Sequence, residues 1–247
     1  MRRLLFSLYF WLIAMPVFFV STIMTALIVM IGCMLGGEKF FAYYPGMYWS
    51  RFTCLLALCP VKVRGREHLQ PKQSYVFVAN HQGAFDIFLI YGFLGYPIKW
   101  MMKIGLAKIP FVGEACRAAG FIFVDHSSPR AALRSIAEAK HKLQNGVSLV
   151  VFPEGSRTNN GKISRFHKGA FQVAVDQRLP LVPITLNGPY KVLPIGSINV
   201  RPYRIEMVIH PPILMDEQAL TEKESLQSLA DRTREIIASA LWDEFKK

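Results

Sequence analysis

Two side chains near residue 80 have the types and the spacing for acid–base chemistry. The segment 80–86 reads Asn-His-Gln-Gly-Ala-Phe-Asp, so an imidazole, His81, precedes a carboxylate, Asp86, by five positions. A carboxylate that accepts one imidazole N–H fixes the tautomer and leaves the other ring nitrogen free to take a proton from a hydroxyl group. Such a general base contributes roughly a 10²–10⁴ factor in rate. For this motif alone, the alternative is a polar loop whose histidine caps a helix.

Two apolar runs flank the motif and would position its ends. The run 75–79 is rich in β-branched and aromatic residues, which predicts a buried strand, and 87–91 is predicted as a helix. On one regular helix, positions five apart lie about 140° apart around the axis, so His81 and Asp86 could not meet there. Across a strand–turn–helix junction they can, because Gly83 allows the chain to turn back. We therefore predict that Asp86 lies in the first helical turn.

A second polar stretch follows the strand predicted at 147–152, which is apolar throughout. It contains Glu154, Gly155 and Arg157. Open α/β sheets place ligand sites at the carboxyl ends of their strands, and a guanidinium there can bind phosphate through two hydrogen bonds. More basic residues follow within a dozen positions and end with Lys168. This pattern favours a phosphate pocket, with a solvated charged loop as the alternative.

Three weaker signals lie elsewhere. Asp125 and His126 come just before a helix predicted to begin at Ser128, and helix N-termini attract anions; the alternative for Asp125 is a helix cap. Lys103 follows the third predicted strand, where a lone lysine is normally solvated. Pro183 lies within a predicted strand, which by itself indicates no more than a strand with a proline.

The order of predicted elements indicates the fold class. Strands are predicted at 61–63, 75–79, 98–102, 121–124, 147–152, 181–186 and 205–209. Helices are predicted at 84–95, 106–119 and 171–175, and from about 128 and 221. Strands separated by helices of this length favour an α/β domain, residues 61–247, with a mixed, largely parallel sheet flanked by helices.

The chain as a whole is both basic and apolar. It has 29 Lys and Arg residues against 17 Asp and Glu, a formal charge of +12, and a mean hydropathy of +0.26. This combination favours a protein at a membrane surface whose partners are anionic, such as lipid headgroups, phosphorylated substrates or an acidic carrier protein. The sequence has no nucleic-acid-binding motif of the usual kinds, so we do not expect nucleic acid as a partner.

Residues 1–60 are predicted to form a membrane-embedded helical element. Arg2 and Arg3 precede an uncharged run, 4–35, that is long enough for a helix of roughly 48 Å against a hydrocarbon core of about 30 Å. One spanning helix and a re-entrant pair of helices both fit, and Pro16 divides the run. The four cysteines have no metal or redox spacing, which indicates free thiols in a reducing compartment. We therefore expect the re-entrant pair, with residues 61–247 on the cytoplasmic side.

These stretches, in this order and at these intervals, resemble the glycerolipid acyltransferases, specifically bacterial 1-acylglycerol-3-phosphate (lysophosphatidate) acyltransferases. The matching blocks are 80–86, 120–125, 152–157 with 166–169, and 182–184, within about residues 61–210. The resemblance implies acyl transfer from acyl carrier protein or acyl-CoA to the sn-2 hydroxyl of lysophosphatidate, which forms phosphatidic acid. It further implies no metal, no tightly bound cofactor, and a location at the inner (cytoplasmic) membrane.

The resemblance also implies a role for each site residue. His81 would deprotonate the acceptor hydroxyl, and Asp86 would orient His81. The remaining residues would bind substrate, mainly the glycerol phosphate, with Pro183 shaping the acyl site: Lys103, Asp125, His126, Glu154, Gly155, Arg157, Lys168 and Pro183.

Two positions depart from the family pattern. His126 stands where arginine is usual, and Gly105 replaces the glutamate of a Lys-x-Glu-Leu block. Because histidine is mostly neutral near pH 7, His126 would supply a weaker phosphate contact. The departures motivate a second hypothesis, in which the acceptor is another lysophospholipid or an aminoacyl lysolipid. A third hypothesis, of another class, is an inactive lipid-binding membrane protein. The sequence lacks the Gly-x-Ser-x-Gly elbow of a serine hydrolase.

Overall fold

The computed structural model describes residues 2–124, 147–215 and 226–246, which contain a seven-stranded sheet. Its order is β1-β7-β6-β2-β5-β3-β4. The strands are β1 (Val61–Arg64), β2 (Val76–Ala79), β3 (Ile98–Lys103), β4 (Ile122–Val124), β5 (Ser148–Val151), β6 (Leu181–Asn187) and β7 (Ile205–Ile209). Every neighbouring pair is parallel except β6 with β7. The predicted mixed, largely parallel sheet is confirmed, and each strand lies where the sequence placed it to within one or two residues.

Helices cover both faces of this sheet. They are α1 (Arg2–Tyr9), α2 (Met15–Met34), α3 (Glu38–Phe41), α4 (Tyr44–Leu56), α5 (Phe85–Phe93), α6 (Val112–Ala118), α7 (Gly169–Asp176), α8 (Pro189–Val192), α9 (Leu226–Ser239) and α10 (Asp243–Lys246). The starts predicted for two further helices, residues 128 and 221, lie outside the described residues.

The helix predicted at 106–119 is only partly correct. A 3₁₀ helix at Ile104–Lys108 precedes α6, and the two do not merge. Pro110 between them has no N–H to donate and restricts the residue before it. At Gly113 a Cβ atom would lie 2.2 Å from the carbonyl oxygen of Ala107, so the backbone of α6 presses directly on the preceding turn. Proline and the close approach at this glycine therefore divide the predicted helix in two.

Strand alternation divides the core into two layers. In β2, Phe77 and Ala79 face one layer, which also contains α5 and part of the N-terminal helices, whereas Val76 and Val78 face the other, which contains α7 and α9. All four β2 residues are buried. Burial on both faces is typical of an interior parallel strand and explains why this segment is a continuous apolar run.

The N-terminal residues form an antiparallel helical hairpin, 2–56. A π-helical turn at Phe10–Ala14 joins α1 to α2 just before Pro16, whose nitrogen cannot donate a bond to the preceding turn. Helix α4 returns along α2, with Trp49 Nε1 donating to Thr22 Oγ1 at 3.1 Å and Tyr9 Oη donating to the Leu56 carbonyl at 3.1 Å. The predicted N-terminal apolar helix is confirmed.

Among the residues that the structure describes, one helix is long and apolar enough to cross a membrane, at Leu4–Met34. Only 17% of its most apolar window is buried inside the protein. The hairpin is nevertheless attached to the sheet domain, because Arg51 Nε donates to the Gly92 carbonyl at 2.6 Å and Tyr91 Oη donates to the Ala42 carbonyl at 3.0 Å. The hairpin thus has one face packed on the domain and a larger apolar face that the protein does not cover.

Candidate active site

The topology brings the two principal polar stretches together. Strand β2 pairs in parallel with β5, so the loops that leave their carboxyl ends, 80–84 and 152–168, meet at one edge of the sheet. Their backbones are joined, since the N–H of Thr158 donates to the carbonyl of His81 at 2.9 Å. Asn80 also ties the first loop to β6: its side chain donates to the Leu186 carbonyl at 3.0 Å and accepts from the Leu186 N–H at 2.8 Å.

His81 and Asp86 form the predicted pair. Nδ1 of His81 lies 2.7 Å from Oδ2 of Asp86, and the N–H of Gly83 donates to the same oxygen at 2.8 Å. Asp86 lies in the first turn of α5 and is completely buried. Burial raises the pKa of Asp86, and the hydrogen bonds from His81 and Gly83 oppose that rise by stabilising the carboxylate. Because an ionised carboxylate only accepts, Nδ1 carries the proton and Nε2 is left as the proton acceptor.

An aromatic stack holds the plane of the imidazole. The ring of Phe152 lies parallel to that of His81, with centroids 4.0 Å apart and an interplanar angle of 7°. Trp100 stacks in turn on Phe152 at 5.6 Å. The side chain of His81 keeps 15% of its surface exposed. Asp86 therefore fixes one ring edge, Phe152 fixes one face, and the opposite edge stays accessible.

Glu154 supports the backbone of His81. Its Oε1 accepts the His81 N–H at 2.7 Å, and its Oε2 accepts both the N–H and the hydroxyl of Ser164, at 2.8 Å and 2.6 Å. The side chain is buried, which raises the pKa of Glu154, whereas the donors from Ser164 and His81 lower it. Both carboxylate oxygens thus have protein partners, and the three donors link the His81 loop to the far end of the second loop.

Three of the predicted basic and glycine positions lie around this loop. Arg157 is half-buried, and Lys168 is exposed immediately before α7. Gly155 is exposed and has a φ of +71°, a left-handed conformation that any other residue would adopt only with strain. Lys103 ends β3, one strand beyond β5 on the same edge, and is exposed. These cations therefore belong to β3 and to the loop after β5, whose carboxyl ends lie at the same edge of the sheet as His81.

Three further predicted site residues have different outcomes. Asp125 and His126 lie outside the described residues. Pro183 is buried within β6, in register with Val78 of β2, and the structure places it inside the sheet rather than in the edge loops. Within the described ranges 2–124, 147–215 and 226–246, no group of three or more His, Cys, Asp or Glu side chains could hold a metal ion.

The sequence assigned no role in the site to Phe152, Trp100 or Ser164. Phe152 is the first residue of the matching block 152–157 and could have been noted as an aromatic residue at the carboxyl end of a strand. Trp100 and Ser164 give no comparable signal, because each reaches the site only through strand pairing or loop closure.

A family model described as Acyltransferase matches residues 60–187. Among curated proteins, a 1-acyl-sn-glycerol-3-phosphate acyltransferase of Chlamydomonas reinhardtii is 28% identical over 97% of this chain and 69% of its own length. The 1-acyl-sn-glycerol-3-phosphate acyltransferase alpha of Ovis aries is 32% identical over 70% of this chain and 60% of its own length.

A solved structure is similar over nearly the whole chain. It is the 1-acyl-sn-glycerophosphate (LPA) acyltransferase PlsC from Thermotoga maritima, with a TM-score of 0.77 and 28% identity, covering 96% of this chain and 95% of that one. The similarity therefore includes the N-terminal hairpin as well as the sheet.

Proposed function

Because this chain belongs to the acyltransferase family, we propose that it moves an acyl group from a thioester to the sn-2 hydroxyl of 1-acylglycerol-3-phosphate and forms phosphatidic acid. The observation that carries the proposal is the contact of 2.7 Å between His81 Nδ1 and the buried Asp86 carboxylate. It leaves Nε2 of His81 as a proton acceptor beside a group of cations. The donor is acyl carrier protein or acyl-CoA.

The chemical step follows from this geometry. The oxygen of the acceptor hydroxyl bonds to the thioester carbonyl carbon while Nε2 of His81 takes the hydroxyl proton. Asp86 stabilises the imidazolium that forms. When the tetrahedral intermediate collapses, the carbon–sulfur bond breaks. The sulfur leaves with the proton that His81 returns, so the base is regenerated and no acyl-enzyme forms.

We assign Glu154 to positioning rather than to direct phosphate contact. Its two oxygens already accept three hydrogen bonds from His81 and Ser164. A carboxylate would also repel a phosphate group at close range. Glu154 therefore acts by fixing the His81 backbone and closing the loop that carries Arg157.

The cations around the loop bind the phosphate group of the acceptor lipid. Arg157 can bind it through two hydrogen bonds, and Lys103 and Lys168 add positive charge at the same edge. Gly155 lets the backbone approach the ligand. The sequence adds Asp125 and His126 as further substrate-binding candidates, and Pro183 as a residue that shapes the acyl site from within the sheet.

The hairpin suits a membrane location for this reaction. We propose that residues 1–60 form the membrane-embedded element and that residues 61–247 form the catalytic domain on the cytoplasmic face of the inner membrane. The uncovered apolar face of α2 supports embedding, and the net charge of +12 suits both an anionic leaflet and an acidic carrier protein. Thiol labelling of intact cells from outside should not reach the catalytic domain; labelling there would contradict the orientation.

The decisive experiment is acyl transfer by purified protein in liposomes, with a panel of lysolipids and both thioester donors. We expect product from lysophosphatidate with the unchanged protein and a loss of roughly 10²–10⁴-fold in His81→Ala. His68→Ala is the matched control, because that histidine bonds the Ile209 carbonyl outside the site. Activity that survives in His81→Ala would contradict the assigned base.

The same panel tests the second acceptor hypothesis. Gly105 lies in the 3₁₀ helix after Lys103, and no atom of the described residues lies within 4 Å of a Cβ at that position, so none of their side chains takes the place of the acidic one in the family pattern. Faster turnover of another lysolipid than of lysophosphatidate would transfer the proposal to that acceptor. Lipid binding without turnover of any lysolipid would favour an inactive binding protein.

A further inference from the structure

Exposed apolar side chains outside the N-terminal hairpin are concentrated in one segment. Beyond residue 58, the described residues expose eight large hydrophobic side chains: Ile87, Ile104, Leu106, Ile109, Phe111, Ile195, Ile198 and Leu214. Four of the eight fall within residues 104–111, which we call the apolar loop, and each is between 41% and 47% exposed. Scattered single apolar residues need no explanation, but four within eight positions form a patch.

The backbone holds these side chains outward. The 3₁₀ helix Ile104–Lys108 buries none of its residues. Phe111 has a φ of +62° and a ψ of −48°, a positive-φ conformation that is rare and unfavourable for an aromatic residue. The close packing of Gly113 on Ala107 fixes the turn. A soluble surface would gain nothing from a strained turn that exposes a phenylalanine. The turn is therefore consistent with a partner that covers it.

The apolar loop is connected to the hairpin through α6. It leads directly into α6, and α6 packs against the apolar helix α2. It also begins immediately after Lys103, at the carboxyl edge of the sheet where the His81 loop lies. The loop thus lies between the hairpin and the edge that carries the site.

The charge of this segment matches an anionic surface. Residues 98–111 include Lys99, Lys103 and Lys108 and no acidic residue. Lys99 is paired with Glu38 at 3.4 Å, which leaves Lys103, directly before the apolar loop, and Lys108, within it. Apolar side chains beside lysines are the composition of segments that lie at the interface of an anionic bilayer.

We propose that the apolar loop is a second membrane contact, separate from the hairpin. The loop inserts into the headgroup–acyl boundary of an anionic leaflet. It holds the sheet edge against the surface from which a lysolipid enters the site. This inference rests on the proposed membrane location of the hairpin, but not on the identity of the acceptor lipid.

Photo-crosslinking tests the contact directly. The full-length protein is reconstituted with phosphatidylglycerol vesicles and carries p-benzoylphenylalanine at position 106, 109 or, as control, 214. Leu214 is the control because it is also an exposed leucine, at 56%, but lies at the opposite edge of the sheet. It follows Ile213, which forms a β-bridge with Leu181, the first residue of β6. We expect covalent lipid adducts at 106 and 109 and few at 214. Equal yields at 106 and 214, or crosslinks between protein copies in place of lipid, would overturn the proposal.

Kinetics provide the second test. In Leu106→Glu/Ile109→Glu, we expect the KM for lysophosphatidate presented in phosphatidylglycerol vesicles to rise about tenfold, because two apolar side chains lose their membrane burial. The rate on a short-chain, water-soluble lysophosphatidate should stay within about twofold of the unchanged protein. Leu214→Glu should leave both values unchanged. A double variant that behaves like Leu214→Glu on vesicles would refute the second contact.

Failure of the underlying proposals has a different signature. If the unchanged protein does not float with vesicles, the membrane location is wrong and the inference falls with it. If the unchanged protein floats but transfers no acyl group, the proposed reaction fails, while the lipid adducts at 106 and 109 still decide the inference.

Discussion

The hairpin and the sheet both contain apolar runs, but the sheet buries its apolar side chains and the hairpin exposes most of them. All four residues of β2 are buried, whereas most of the apolar window within Leu4–Met34 faces outward. Hydropathy does not distinguish these outcomes, but length does. A strand of four residues can be covered on both faces by helices of the same domain. A helix of 31 residues spans about 46 Å, more than the single sheet beside it can cover.

The two regions are nevertheless not independent bodies. Ala26, Val29 and Met47 of the hairpin belong to the same core layer as Tyr91 and Trp100 of the sheet domain. Trp100 leads through Phe152 to His81, so the hairpin borders the layer that supports the site. The hairpin therefore has two environments: one face packs as part of the core, and the other is not covered by the protein.

The largest effect should come from Asp86→Asn, which changes the chemistry of the sheet domain and leaves the hairpin intact. An asparagine amide can donate to Nδ1 and stabilise the wrong tautomer, which places the proton on Nε2. We expect kcat to fall by roughly 10²–10⁴-fold. Vesicle flotation should match that of the unchanged protein. A variant that loses flotation as well would show that the site and the membrane element are coupled.

A pair of valines sharpens the contrast between the regions. Val78 in β2 is fully buried, and Val20 in α2 is 59% exposed. Val78→Asp should lower the free energy of unfolding by about 4 kcal/mol or more, because it places an unpaired charge in the core. Val20→Asp should leave the melting temperature in detergent nearly unchanged but weaken membrane insertion by about 2.5–3.5 kcal/mol. Equal losses of melting temperature would mean that the outer face of α2 is covered by protein.

Ser164→Ala separates positioning from substrate binding within the site. It removes the hydroxyl that donates to Glu154 at 2.6 Å, a bond to a charged group worth about 1.5–3 kcal/mol. We expect kcat to fall by about tenfold as His81 loses its fixed backbone, with the KM for lysophosphatidate nearly unchanged. Ser156→Ala, an exposed serine in the same loop, is the control. A rise in KM alone would instead assign Glu154 to the acceptor phosphate.

The smallest effect concerns pH. Burial raises the pKa of Glu154 above its ordinary value of 4.5, so the folded protein holds that proton more tightly than the unfolded chain. The contribution of Glu154 to stability is therefore highest at low pH and declines as pH rises from about 4.5 through the folded pKa. The difference in melting temperature between the unchanged protein and Glu154→Gln should decline over that range and be constant at higher pH. A difference that grows with pH would mean that the three donors outweigh burial.

Local sequence was sufficient for most of the elements and for the contact between His81 and Asp86. The β2 run, Gly83 and Asp86 lie within a dozen residues, so the strand, the turn and the helix start could be predicted together with the contact between His81 and Asp86. The helix predicted at 106–119 failed in its first half because Pro110 and Gly113 outweighed its apolar content. The helix propensity of this segment was outweighed by the missing N–H of Pro110 and by the close approach of the backbone at Gly113.

What the sequence by itself determined was a basic, apolar chain with a long N-terminal helix, an α/β sheet and an imidazole–carboxylate pair, because each of these depends on composition or on residues close in the chain. Only the tertiary structure decided that β2 lies beside β5. That pairing brings Glu154 to the backbone of His81 and Phe152 to its ring, across more than 70 residues of chain. Strand order is set by how the two core layers pack around the whole sheet, and no local pattern records it.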